Sequence, residues 1–406
     1  MPKKTLCAVL TVVLALLAAA GCGKPETAGP DAAPATAPQA TGTDAATNSD
    51  PANAPRAVTV AVREVSKHGN LILDTTFADL NAAGVEIGDI ITVTVGEGIY
   101  DLPVGASYTD VDSGRMLCRF DREDDEVALA VNMGSFAEET GAAEKQTIEE
   151  DPGYRWEMKI AEVTLALKEK QGYLDIYNAR NLTRTDVRGD YPDLTDAAFA
   201  NFRAVAVTGL KADTLYRSSS PIDPSLARNG FAMAAMEQAG IRTVVNLADS
   251  DADMRAYDAF PGSRYSRCAI VNPEMGYDFA GEEFAEKIKE SVVFIAEHDG
   301  PYLIHCKEGK DRTGVLCALL ECFAGASADE IRQDYMITFR NYYGVQPGDT
   351  AYGILLNDNL EKTLCGMFGI GSLDNADLRA AASEYLLSAG VTDAQLAVLS
   401  EKLLEA

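Results

Sequence analysis

Between about residues 56 and 169 the apolar side chains fall mostly at every second position. Ile91, Val93 and Val95 alternate with Thr92 and Thr94 in DIITVTV, and Val127, Leu129 and Val131 alternate with alanines in EVALAVN. Period two is the spacing of a strand with one buried face, and Gly84, Gly88, Gly96, Gly98, Gly105 and Gly114 punctuate the runs. The pattern predicts a small all-β accessory domain over residues 57–172, a barrel or a sandwich. From about Tyr173 the period lengthens. TDAAFANFRAV and NGFAMAAMEQAG have helical spacing, while RTVVNLA, SRCAIV and PYLIH are short β-rich runs between helices. Strands alternating with helices predict an α/β domain over 173–406, a mostly parallel sheet flanked by helices. Its last part, from Asp329, reads as helical, with LRAAASEYLLSAG and TDAQLAVLSEKLLEA each opening near a cap.

The first 56 residues follow neither period. Lys3 and Lys4 precede an apolar run from Leu6 to about Leu17, and small residues lead to Cys22, the order of a secretory signal. The run is shorter than the roughly 20 apolar residues a membrane span needs. AAGC, ending at Cys22, resembles a bacterial lipobox, with Ala19 where leucine is commonest. That resemblance implies a lipidated Cys22 and an exported, cell-surface protein held at a membrane; cleavage without lipidation would leave it secreted. Residues 23–56 are rich in Ala, Pro, Thr and Gly. They carry too little apolar surface to offset the entropy of ordering, so they read as a disordered tether.

Charge narrows the partners. Against 35 Lys and Arg stand 62 Asp and Glu, a formal net charge of -27, so nucleic acid is not an expected ligand and an anionic substrate must be held by a local positive site. The three histidines, His68, His298 and His305, show no metal-ligand spacing, and the sequence implies no metal centre and no cofactor. Apart from Cys7 and Cys22 in the leader, the cysteines are scattered without CxxC spacing, which favours free thiols.

One stretch concentrates the chemistry. In HCKEGKDRTG, His305 to Gly314, a cysteine sits six residues before an arginine, between the buried-strand run PYLI and the helical run RTGVLCALLECFAG. That helix places Val315, Leu316, Leu319, Leu320 and Phe323 on one face and stops at Gly325. A tight loop between a strand end and a helix start turns its backbone N–H groups, here those of Lys307, Glu308, Gly309, Lys310, Asp311 and Arg312, toward a common centre. The helix dipole adds to that field. A phosphate group fits such a cradle. Gly309 lets the backbone approach it, Arg312 offers a planar fork for two oxygens, and the same field favours the thiolate of Cys306, a nucleophile.

Taken whole, HCKEGKDRTG resembles the H-C-x-x-G-x-x-R-T/S-G signature of the cysteine-dependent phosphatases, Gly314 closing the match. The GKDRTG variant is similar to the bacterial tyrosine and phosphoinositide phosphatases of the tyrosine phosphatase superfamily. LYRSSSPID, AGIRTVVNLAD and DYMIT resemble other landmarks of that superfamily, and the likeness covers roughly residues 175–400. The resemblance implies phosphomonoester hydrolysis through a cysteinyl phosphate on Cys306, with Arg312 clamping the phosphoryl oxygens. It implies that Thr313 hydrogen-bonds the sulfur and that His305 orients the loop and tunes the thiolate. It also implies Asp311 as general acid, with Asp278, 28 residues before Cys306, as the alternative. Lys307 and Lys310 stand where phosphoinositide phosphatases carry lysines, so a phosphotyrosine protein and a phosphoinositide both remain expected substrates. HGNLILD, ITVTV, SYTDVDSG and ALAVNMGSFAEETG resemble the C-terminal β-domain of the SAM hydroxide adenosyltransferases, a likeness of fold without a catalytic set. Two other readings of the loop are a non-catalytic phospho-ligand binding module and a redox or sulfur-transfer protein.

Overall fold

The alternation around Ile91 is the seam of a closed barrel. In the computed structural model, which describes residues 57–148 and 153–405, the strands β1 (Val58–Val65), β2 (Leu71–Leu73), β3 (Ile90–Val95), β4 (Gly98–Gly105), β5 (Met116–Asp121), β6 (Glu126–Val131) and β9 (Glu162–Glu169) close in the order β1-β2-β6-β5-β4-β3-β9. Short helices α1 (Phe77–Ala82) and α2 (Phe136–Thr140) and a separate hairpin, β7 (Ala143–Thr147) with β8 (Tyr154–Met158), fill the connections. Of the two architectures left open by the periodicity, the barrel is the one formed. Ile91, Val93 and Val95 point inward with Leu71, Phe120 and Leu165, while Thr92 and Thr94 face outward. The alanine side of EVALAVN is also buried. Ala130 lies on the outer face with Val111 and Leu117, under Tyr108 and Tyr173. The leader 1–22 with Cys22, and the linker 23–56, lie outside the described residues. No helix among the described residues is long and apolar enough to cross a membrane.

Helix α3 (Leu174–Arg180) carries the chain from the barrel into the α/β part, and three features fix it to the barrel. The Tyr173 N–H donates to the Gly88 carbonyl at 2.8 Å and its hydroxyl donates to the Asp110 carbonyl at 2.7 Å. Gly88 has φ +91°, and a Cβ there would come within 2.7 Å of Leu174. The buried Asp110 carboxylate accepts from the Ala106 and Ser107 N–H groups at 2.7 and 2.8 Å and from the Asn181 amide at 2.9 Å. Barrel and α/β part accordingly belong to one compact unit, 55–406.

Beyond α4 (Asp196–Phe199) comes a five-stranded sheet, ordered β10-β11-β14-β12-β13: β10 (Arg203–Ala204), β11 (Leu215–Ser218), β12 (Thr243–Asn246), β13 (Ala269–Val271) and β14 (Tyr302–His305). All pairings are parallel except β10 with β11. The helical spacing in TDAAFANFRAV overreaches, because α4 ends at Phe199 and Arg203 already pairs with β11. Helices α5 (Asn229–Gln238) and α6 (Asp251–Ala256) cover one face. Helices α7 (Glu282–Glu297), α8 (Asp311–Ala324) and α9 (Ala328–Tyr343) cover the other, backed by α10 (Thr350–Leu355), α11 (Lys362–Phe368), α12 (Leu378–Ser388) and α13 (Asp393–Leu403). Helix α8 is not amphipathic as its spacing implied: every residue from Arg312 to Ala324 is buried, since α9 and α12 pack on the sides the sheet leaves free. It ends at Gly325 in the left-handed region.

Because Asp110 satisfies donors on both sides of the junction, its removal should cost more than a surface carboxylate. The Asp110→Ala chain is expected to lose about 3 kcal/mol of stability, as several charge-assisted hydrogen bonds are broken at a buried site. An unchanged urea midpoint would show that the junction does not depend on it.

Candidate active site

Strand β14 is the central strand of the parallel sheet. His305, its last residue, pairs in register with Ser218 on β11 and Asn246 on β12. Cys306 therefore leaves the sheet at the C-terminal edge of the strands, where open α/β sheets bind ligands. Five residues later α8 begins, and the loop between must turn within that distance. Gly309 makes the turn at φ +69°, and a Cβ there would stand 2.1 Å from the Ser218 carbonyl oxygen.

The direction of the peptide planes is set from outside the loop. The Cys306 carbonyl meets His305 Nδ1 at 3.1 Å, and the Lys307 carbonyl accepts from the Ser220 N–H at 3.1 Å. Tyr342 donates to the Glu308 carbonyl at 2.6 Å, Asn201 and Arg217 both donate to the Gly309 carbonyl at 3.1 Å, and the Lys310 carbonyl accepts from the Gly314 N–H at 2.9 Å. With every carbonyl engaged on the outside, the N–H groups of Lys307, Glu308, Gly309 and Lys310 point inward, and among the described residues none of them has a protein acceptor. The first N–H groups of α8 have no intrahelical partner and join the same ring.

Arg312 stands over this ring in a fixed pose. Its Nη1 donates to the carbonyls of Leu247 and Met275 at 3.2 and 3.1 Å, and its guanidinium carbon lies 4.7 Å from the centre of the Tyr277 ring. Nε is buried without a partner, so the Nε edge of the guanidinium is left for an anion. Cys306 is buried and free, as are Cys118, Cys317 and Cys322, with Cys268 and Cys365 half-buried and also free. The hydrogen bond expected from Thr313 to the sulfur is not made: the Thr313 hydroxyl is buried with no partner. Gly314 lets α8 lie against Tyr335, whose ring would be 2.6 Å from a Cβ there.

His305 contacts the loop through one ring nitrogen, Nδ1, as a neutral ring. Its Nε2 lies 2.7 Å from the Tyr265 hydroxyl, and Nδ1 faces a carbonyl, which can only accept. Nδ1 therefore carries the proton and Nε2 accepts from Tyr265. Burial pushes His305 down to about 4 and pushes Tyr265 well up, so both are neutral at neutral pH. The influence of His305 on the sulfur is thus geometric, through the Cys306 carbonyl.

Four charged groups frame the rim. Lys310 Nζ lies 3.1 Å from Glu308, 3.9 Å from Asp311 and 3.4 Å from the Tyr343 hydroxyl, while Arg184 holds the other Glu308 oxygen at 2.8 Å. Burial works to lower Lys310, but Asp311, Tyr343 and Glu308 outweigh it and hold the ammonium charged. Asp311 behaves in the opposite sense: burial raises its carboxyl pKa, against the pull of Lys310. Lys307 is exposed, as is Asp278, which follows Tyr277 on the loop that covers Arg312.

Beneath the loop lies a cluster that local spacing did not single out. Arg217 is 1% exposed and donates to Asp334 at 2.7 Å as well as to Gly309; Arg203 donates to the other Asp334 oxygen at 3.0 Å. Burial acts to raise Asp334, but the two arginines carry it down to about 2. Arg217 belongs to LYRSSSPID and Asp334 to DYMIT, so the two sequence landmarks are one ion pair in space. Pairing the arginine of one landmark with the acid of the other was the available signal.

Comparison with known proteins agrees with this geometry. Residues 197–347 match the tyrosine phosphatase family and form a domain of that family, and residues 62–149 match the SAM hydroxide adenosyltransferase C-terminal domain. A tyrosine-protein phosphatase of Nostoc commune is 26% identical over 185 residues, covering 41% of this chain and 61% of the relative, so the chain spans about three-fifths of that protein's length. Among solved structures, TpbA of P. aeruginosa in complex with phosphotyrosine is 19% identical, covers 45% of this chain and 94% of its own, and superposes with a TM-score of 0.27. The core catalytic domain of the PP-IP phosphatase SIW14 from S. cerevisiae is 20% identical, with coverages of 39% and 86% and a TM-score of 0.26. An uncharacterized conserved protein of Thermotoga maritima is 23% identical over 27% of this chain and 35% of its own, with a TM-score of 0.21.

The buried neutral His305 sets a pH dependence. Its ordinary value is 6.5 and its value in the fold about 4, so between these limits the unfolded chain binds more protons and stability rises with pH. The native chain is expected to lose about 3 kcal/mol from this group as pH falls from 7 to 4. Denaturant titrations of the wild type and of His305→Gln should differ by that slope; parallel curves would contradict it.

Proposed function

We propose that the chain hydrolyses phosphotyrosine in proteins through a cysteinyl-phosphate intermediate. The observation that carries the reading is the loop itself, with the four carbonyls from Cys306 to Gly309 each bonded to a group outside α8 and the N–H groups from Lys307 to Lys310 left without a protein acceptor. A phosphoryl group seated there meets those N–H groups and the open edge of Arg312. The Cys306 thiolate attacks phosphorus as the bond to the tyrosyl oxygen breaks, and Asp311 delivers a proton to the departing oxygen. Water then attacks phosphorus, giving its proton back to Asp311, and the sulfur leaves as thiolate. Charge on the phosphoryl oxygens is met throughout by fixed donors, which need no reorganisation during the reaction.

Asp311 is favoured over Asp278 as the acid because it stands in the loop itself and burial raises its carboxyl, while Asp278 is exposed. Phosphotyrosine is favoured over a phosphoinositide because Lys310 is already paired with Glu308 at 3.1 Å, which leaves exposed Lys307 as the remaining lysine for additional phosphates. An export signal and a lipid on Cys22 would place the enzyme at a bacterial cell surface.

Kinetics on the purified chain test the roles separately. Cys306→Ser is expected to abolish turnover of a phosphotyrosyl peptide. Asp311→Asn should lower kcat by about 10²-fold or more and remove the descending limb of the pH profile, with a smaller loss on para-nitrophenyl phosphate, whose leaving group needs less protonation. Asp278→Asn should stay within a few-fold of wild type; the reverse ranking would transfer the acid role to Asp278. The surface address has its own readout: labelled fatty acid should enter the chain in a bacterial host and be lost in Cys22→Ser, and equal labelling of the variant would refute it.

A further inference from the structure

Beside the cysteine loop lies a hollow of about 270 Å³ whose walls come from both halves of the chain. Lys310 and Asp311 line it from the loop, Tyr343 from α9, and Thr109 and Asp112 from the barrel. Asp112, Arg180 and Asp358 also line a larger groove of about 790 Å³, so the two adjoin. The barrel supplies Ile99, Val111, Arg115 and Met116 to that groove, and α3 supplies Ile176.

The side on which Asp311 stands fixes where the rest of a substrate must lie. A general acid has to be within hydrogen-bond reach of the leaving oxygen, and in a phosphotyrosyl protein that oxygen belongs to the tyrosine. The polypeptide bearing it consequently leaves the loop on the Asp311 side, along the hollow that Asp311 lines and toward the barrel.

The lining chemistry also discriminates between ligands. Four acids (Asp101, Asp112, Glu139, Asp358) face four bases (Arg115, Lys168, Arg180, Lys362) around the larger groove. Lys168 is paired with Asp101 at 2.6 Å, Lys362 with Asp358 at 2.7 Å, and Arg180 with both Asp112 and Asp358. So balanced a wall offers no field for a polyphosphorylated headgroup or an anionic membrane. What it leaves free suits a peptide. Ile99 is 70% exposed on the groove, an apolar handle large enough to matter, and Arg115 has no ion pair among the described residues and can meet an acidic side chain.

We propose that this groove is the docking channel for the polypeptide that flanks the phosphotyrosine, and that the β-barrel is the specificity-determining wall of the site. The proposal rests on the phosphatase reading above and extends it from the phosphate to the peptide.

The test uses the full chain carrying Cys306→Ser, which binds without turnover, and a fluorescein-labelled peptide with one phosphotyrosine between leucine and glutamate residues. Ile99→Asp and Arg115→Glu, both at exposed barrel positions, are each expected to weaken peptide binding about tenfold. In the chain with Cys306 intact, each should lower the ratio of kcat/KM for the peptide to that for para-nitrophenyl phosphate by a similar factor. Wild-type affinity in both variants would overturn the proposal, as would free phosphotyrosine binding as tightly as the peptide. A barrel-dependent interaction with phosphoinositide vesicles in place of the peptide would overturn it in favour of a lipid surface. Peptide binding that depends on Ile99 and Arg115 in a chain that hydrolyses nothing would uphold the channel and reject the hydrolytic reading.

Discussion

A peptide plane has two ends, and a loop can turn its N–H groups toward an anion only if something outside accepts its carbonyls. That constraint organises the α/β part of this chain. The Gly309 carbonyl is held by Asn201 and Arg217, Arg217 is held by Asp334, and Asp334 is shared with Arg203. The chain of contacts runs from the loop through β11 to α9. Breaking a buried ion pair of this kind costs about 3–5 kcal/mol, because the surviving charge is left without a partner. That cost favours the arrangement that holds the Gly309 carbonyl. Nearby, burial and Asp334 push Glu321, a second acid beside the pair, well above the usual carboxylate range.

The same economy of charge governs the rim. A chain with a net charge of -27 must keep its own carboxylates away from a phosphate, and two of them, Glu308 and Asp311, lie inside the signature itself. Glu308 is tied to Arg184 and Lys310, which together hold it below the usual range against the effect of burial. Asp311 is instead moved upward by burial, toward the protonated form that a phosphate tolerates beside it. His305 contributes no charge at all. The positive field at the centre therefore comes from backbone N–H groups, the start of α8 and the free edge of Arg312, all of which are rigid.

Local pattern carried the strand-loop-helix around Cys306, the inward side chains Ile91, Val93 and Val95, and the stop of α8 at Gly325, because each depends on residues within one or two turns. It could not carry what is decided by distant partners. Closure of the barrel needs β9 to pair with both β1 and β3, across about 70 residues in the second case, and a period-two run is the same in a barrel or a sandwich. The tautomer of His305 is fixed in part by Tyr265, 40 residues earlier. The full burial of α8 is set by α9 and α12, which follow it, and the early end of α4 by the pairing of Arg203 with β11. In each case tertiary packing overrides a local preference that is too weak to resist it.

The barrel belongs to the site only because it is fixed to it. Tyr173 is bonded to Gly88 and Asp110 at one end of α3, and Arg180 is bonded to Asp112 and Asp358 at the other. A helix of seven residues held at both ends leaves little room for the barrel to swing. A wall on a hinge would meet a bound peptide in many poses and lose binding energy to ordering it. A wall locked to α3 presents Ile99 and Arg115 in one place relative to Asp311, and that fixed separation is what the proposed peptide channel requires of a surface remote from the cysteine loop.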